Sequence, residues 1–166
     1  MRSMRELGQQ GVTFVEILLV MGLLGIFLVV LTSIFTATLD VQTQSEAYSA
    51  TVSDGRFIMT RLNYDISRAT AISTPASLGT SGASLVMTVG GSVYTYALSG
   101  SDLQLTDVIG TANLNGSGTT VSNLSFQRLG NVGGKDTIRY SFKLTSTAKD
   151  KSGNDSLTFT STAERR

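Results

Sequence analysis

The chain has no cysteine, no histidine, no tryptophan and a single proline, Pro75, among its 166 residues. Without cysteine there is no disulfide framework and no thiolate chemistry. Exported domains also do without disulfides, so this absence leaves the compartment open. Without histidine, Ser-His-Asp and Cys-His catalysis are excluded, together with most zinc sites. An enzyme would have to work with carboxylates, Lys, Tyr or a bound cofactor. The expectation is a chain that is not an enzyme and carries no cofactor or metal. Charge is scarce as well: Asp, Glu, Lys and Arg make up 15% of the residues and the net charge is +1. That balance gives no general pull toward nucleic acid or acidic lipid. Between Ala69 and Gln127 the only charges are Asp102 and Asp107, whereas Arg128 to Arg166 holds eight Lys or Arg against four Asp or Glu.

What the chain does have is one long apolar run. From Val12 to Leu39 there is a single charge, Glu16, and Ile17 to Leu39 is 23 residues without any. As a helix that length crosses a bilayer core of ~30 Å. Arg2 and Arg5 precede the run, Asp40 and Glu46 follow it, and no further base occurs until Arg56. The positive-inside rule therefore puts the N-terminus in the cytoplasm and the remainder outside. A cleaved secretory signal would have an apolar core of only about 7–15 residues and a small-residue cleavage site, to which Phe35-Thr36-Ala37-Thr38-Leu39 is a poor match. A plain signal anchor satisfies the same hydropathy. Glu16 discriminates between these readings, because an unpaired carboxylate at the start of a membrane segment costs on the order of a few kcal/mol and calls for a partner. In the plain-anchor case it is a snorkelling or protonated group at the headgroup level.

The junction Gly11-Val12-Thr13-Phe14-Val15-Glu16, followed by Ile17-Leu18-Leu19-Val20, resembles the N-terminal signal of type IV prepilins and pseudopilins. The resemblance implies that residues 1–11 are a leader removed by a prepilin peptidase after Gly11 and that Val12 is then N-methylated. It implies that residues 12–39 form the transmembrane and later filament-core helix, with Glu16 as the assembly glutamate. Cleavage would give Val12 an α-amine with a reference pKa of about 8, able to pair with Glu16 of a neighbouring subunit. A pair of this kind selects geometry more than it adds stability. The chain departs from the family at Val12, where phenylalanine is common, and at Ser33, where many members carry a helix-bending proline. Gly22 and Gly25 lie upstream of Ser33 and read either as sites of close helix packing or as a hinge. The implied partners are other pilin or pseudopilin subunits, the peptidase, an inner-membrane assembly platform, and membrane lipid before assembly.

Past the apolar run, Val41, Ser45, Tyr48, Val52, Gly55, Met59, Leu62, Ile66 and Ala69 recur in steps of four and three. They predict that residues 40–72 continue the helix as an amphipathic half, ended by Pro75. Arg61 and Asp65, four apart, are expected to support its exposed side. A helix from Val12 to about Ala71 would be ~90 Å long. Residues 73–166 then read as an antiparallel β domain. Strands are expected at Ser84–Val89, Val93–Leu98, Leu103–Thr106, Val121–Arg128, Thr137–Thr145 and Leu157–Ala163. Turns are expected at Gly90-Gly91, Ser99–Asp102, Gly130–Lys135 and Lys149–Asp155, and loops at Ser73–Ala83 and Val108–Gly118. The fold class is α+β: a long N-terminal helix packed on a C-terminal antiparallel sheet in one or two parts. Arg61 to Ala69, together with Val121-Ser122-Asn123-Leu124-Ser125-Phe126 and the last strand pair, also resembles minor pilins of the PilW sort and J-type minor pseudopilins.

Other candidates carry less. Asp102 and Asp107 flank a short strand and read as turn residues rather than a catalytic pair. Asp150 to Asp155 lacks the ligand order and closing glutamate of a calcium loop. Asn115, Asn123 and Asn154 each start an Asn-x-Ser triplet, unremarkable in so serine-rich a chain. Lys135, Arg139, Lys143, Lys149 and Lys151 form a basic set in which Arg139 and Lys143 share one side of a strand, opposite Ile138, Tyr140, Phe142 and Leu144. They read as the wet face of a half-buried strand or as a partner site for DNA or a surface ligand. A membrane-anchored adhesive or DNA-binding module is therefore the alternative to a filament subunit.

Overall fold

The computed structural model describes residues 12–150 and 153–166. The chain divides into two compact units, Met1–Val41 and Gln42–Arg166, and one helix, α1 (Phe14–Arg68), contributes residues to both. Its start has a local cause. Thr13 sits at the N-cap, where its Oγ1 accepts the Glu16 amide at 3.3 Å, and Glu16 places a carboxylate in the first turn, where the helix dipole favours it. Further along, the hydroxyls of Thr32, Ser33 and Thr38 donate to the carbonyls of Leu28, Val29 and Ile34 at 2.8–2.9 Å. These polar side chains use their donors within the helix, and the segment stays apolar toward its surroundings.

In the second unit, α1 buries Ala47, Thr51, Gly55, Ile58, Leu62, Asp65 and Ile66. The expected stripe is correct at Gly55, Leu62 and Ile66. In the upper part it is rotated: Val41 and Tyr48 are exposed, while Ala47 and Thr51 face inward. The reason is proximity. A Cβ on Gly55 would lie 2.1 Å from Phe159 Cζ, so the aromatic ring rests directly on helix backbone, and small side chains at four-residue spacing permit that approach. The helix also ends earlier than expected, at Arg68 rather than Ile72. Ala69–Thr74 forms β1 instead, paired antiparallel with β3 (Ser84–Val89). Thr70 and Ile72 are β-branched, Pro75 holds the preceding residue out of the helical region, and β3 supplies ladder bonds that a last helical turn would forgo.

The remaining strands are β2 (Ser81–Gly82), β4 (Ser92–Ser99), β5 (Asp102–Thr106), β6 (Thr111–Asn113), β7 (Thr119–Leu129), β8 (Thr137–Asp150) and β9 (Gly153–Glu164). They form two antiparallel sheets, β1-β3-β4-β5-β6 and β2-β7-β8-β9. Gly90 and Gly91, both at positive φ, make the expected hairpin turn between β3 and β4. The short strands β2 and β6 lie in segments expected as loops. Neither has an apolar alternation; β6 is held by side-chain bonds from Gln104 to Asn113 and between Thr106 and Thr111, each 2.9 Å. On β8, Ile138, Tyr140, Phe142 and Leu144 are fully buried in alternation, as expected, and join Ile58, Leu62, Ile66, Leu85, Met87, Tyr96 and Phe126 in one core.

Candidate assembly segment and polar sheet face

Gly11 lies outside the described residues. Val12 is exposed, and from there to Leu39 nineteen large apolar side chains are 45–75% exposed. The segment has a mean hydropathy of 2.9 over its most apolar window and is long and apolar enough to cross a membrane. Covering even half of each such side chain is worth about 1 kcal/mol, so the segment as a whole holds on the order of 20 kcal/mol of unrealised burial. Glu16, the sole charge within it, stands one helical turn from Val12. Thr13-Phe14-Val15-Glu16 is also a capping sequence of the Thr-x-x-Glu type, a local role legible in the residues.

Arg139 and Lys143 point outward from β8, as the alternation requires. Arg139 is exposed, and neither has an ion pair among the described residues. The two do not converge: four residues along a strand separate them by ~13 Å. Lys135 sits in the turn before β8, and the side chains of Lys149 and Lys151 lie outside the described residues; among the described residues Arg139 and Lys143 belong to no basic cluster. Arg139 instead borders a hollow of about 210 Å³ with Ser81, Ser125, Gln127, Ser141 and Thr160.

Other polar groups fix the fold. Asp107 Oδ1 accepts the amides of Ile109 and Gly110, as a turn residue does, whereas Asp102 is the first residue of β5 and accepts Asn113 Nδ2 at 2.8 Å and Asn115 Nδ2 at 3.1 Å, tying β5 to β6 and the loop after it. Asp65 is buried, contrary to the exposed position expected for the Arg61–Asp65 pair. Its Oδ2 receives Arg61 Nε at 2.6 Å and the Tyr96 hydroxyl at 2.5 Å, linking helix to sheet. Burial first, and the Asp65 carboxylate second, push the Tyr96 phenol far above its ordinary range; the bond to Asp65 raises Arg61 further. Arg128 donates to Asp136 and to the carbonyls of Ile72, Pro75 and Ala76, pinning the end of β1 to the other sheet. No sequence pattern marked Arg128 or Asp136, because Asp136 pairs with Arg128 and with Arg165 near the C-terminus, and the backbone oxygens that Arg128 also reaches are brought near only by the fold. Among the described residues there is no cluster of His, Cys, Asp or Glu suited to a metal.

Compared with family models, with characterised proteins and with solved structures, the chain matches none of them.

Proposed function

We propose that this chain is a structural subunit, of the minor pilin or pseudopilin kind, in a filament of the type IV pilus or type II secretion sort. The observation that supports this reading most is the apolar segment Val12–Leu39, uncovered along its length and carrying one carboxylate at its start. In this mechanism the precursor inserts with its N-terminus in the cytoplasm, and a prepilin peptidase cuts after Gly11. Val12, with or without an added methyl, becomes the first residue. The segment first occupies lipid and is then drawn by an assembly platform into contact with other subunits, exchanging one apolar surrounding for another. The exchange gains little hydrophobic energy, so packing and the Glu16–Val12 amine pair between neighbours set the register. The chain performs no catalysis in this reading.

Mass spectrometry of the mature terminus, from cells with and without a prepilin peptidase, tests the proposal. A peptidase-dependent start at Val12 is the expected outcome. A start at Met1 or Met4 in both would make the chain a signal-anchored exported domain. Glu16→Val should leave insertion intact and abolish incorporation into sedimentable filaments. Thr13→Ala, which removes the cap and keeps the carboxylate, should assemble. Equal failure of both variants would assign Glu16 to helix capping alone.

A further inference from the structure

The outer face of the β2-β7-β8-β9 sheet holds a site that the filament reading does not use. Ser81 on β2 pairs with Gln127 on β7, which pairs with Arg139 on β8. In the next row of the same face Ser125 pairs with Ser141, and Ser141 with Thr160 on β9. These six side chains line the hollow of about 210 Å³. Its position has a structural cause: the β7–β8 register shifts between Ser122 and Ser125, where Asn123 takes a left-handed conformation (φ 52°). A bulge of this kind bends its strand and opens the sheet locally.

The chemistry of the lining is specific. Four hydroxyls and one amide surround one guanidinium, and no carboxylate lines the hollow to compete for it. Arg139 and the four hydroxyls make no side-chain hydrogen bond or ion pair with another described residue. Strand spacing places these groups ~5 Å apart across the sheet and ~7 Å apart along it, the scale of a single sugar ring. The planar fork of arginine suits a carboxylate bound through both oxygens. Tyr140 also borders the hollow but is buried, its hydroxyl bonded to Asn63 Oδ1 at 2.8 Å, so no aromatic face is offered for base stacking. Lys143 does not line the hollow, and one cation does not make a phosphate track.

We propose that this hollow binds one carboxylated sugar unit of an acidic glycan, with Arg139 on the carboxylate and the serine and threonine hydroxyls on the ring oxygens. The inference stands whether or not the chain polymerises, because the site lies wholly on one sheet face of one copy.

The test is titration of the full-length chain in detergent micelles with trigalacturonate, its neutral counterpart galactotriose, and a short single-stranded DNA. Trigalacturonate should bind and galactotriose should not. Arg139→Gln should weaken binding by about tenfold or more, the scale of losing a charge-assisted bidentate pair. Arg139→Lys should retain part of it, Ser141→Val should weaken it, and Lys143→Gln should leave it unchanged. Circular dichroism of each variant confirms that the sheet persists. No binding of trigalacturonate, equal binding of galactotriose, or full affinity in Arg139→Gln would overturn the proposal. So would tighter binding of the DNA that depends on both Arg139 and Lys143, which would make the face a nucleic-acid site.

Discussion

From Phe14 to Leu39, α1 leaves its large side chains uncovered; from Ala47 to Ile66 it turns one face into a core made with two sheets. The first stretch is apolar all round and carries almost no charge. The second alternates small or apolar residues with Asp54, Arg56, Arg61 and Asn63. One helical backbone thus serves two surroundings, and composition decides which. A helix apolar on every side cannot be satisfied by a sheet that covers one side, so it needs lipid or several neighbours. A helix with one narrow stripe is satisfied within its own chain.

Matched isoleucines give that contrast its hardest test. Ile58→Ala, at a fully buried position, should destabilise the Gln42–Arg166 unit by about 2–5 kcal/mol, read as a lowered denaturation midpoint in micelles. Tyr96→Phe comes next. It removes a hydrogen bond to a buried carboxylate, worth roughly 1.5–3 kcal/mol. It should also change the alkaline limit of stability. The folded Tyr96 phenol is raised above its ordinary 10.0, so its contribution is complete below pH 10 and is lost as rising pH ionises the unfolded chain first. Tyr140 is raised in the same direction by burial. The wild-type melting temperature should therefore fall above pH 10, and less steeply in Tyr96→Phe.

Gly55→Ala sharpens the comparison from the helix side. Helix propensity favours alanine by ~1 kcal/mol, but the new methyl meets the Phe159 ring, and overpacking costs about 1–3 kcal/mol. The expected net effect is a loss of roughly 1 kcal/mol in a denaturant melt, relieved by adding Phe159→Leu. At the small end, Ile26→Ala, at a position 66% exposed, should leave the stability of that unit within about 0.5 kcal/mol of wild type. A larger change would mean that Ile26 helps to stabilise the Gln42–Arg166 unit, and the division between the two surroundings would fail.

The same contrast explains what could be read from the residues. Ser84–Val89 and the alternation along β8 were legible because a strand with one buried face writes that face into every second side chain. The apolar run was legible because nothing else in the chain has its length. The phase of the upper helical stripe was not, since Ala47 and Thr51 face inward for closeness rather than hydrophobicity. Nor was the burial of Asp65, whose partner Tyr96 comes from a distant strand. Arg139 could be placed on the outer face by parity alone. The hollow beside it could not, because it takes a bulge at Asn123 and a serine from the two-residue strand β2.

The loop before β7 brings a different matter into view, the slow chemical ageing of the chain. Asn115-Gly116 is the dipeptide in which a backbone nitrogen most readily attacks the preceding side-chain amide, converting asparagine to aspartate. Here the Gly116 nitrogen donates to Asp54 Oδ2 at 2.9 Å, while Asn115 Oδ1 accepts the Leu103 amide at 2.9 Å and its Nδ2 donates to the Thr119 carbonyl at 2.8 Å. Both reacting groups are occupied and the side chain is buried, so the folded molecule resists a reaction that its sequence invites. A one-dalton gain at Asn115 would therefore count the time this loop has spent open.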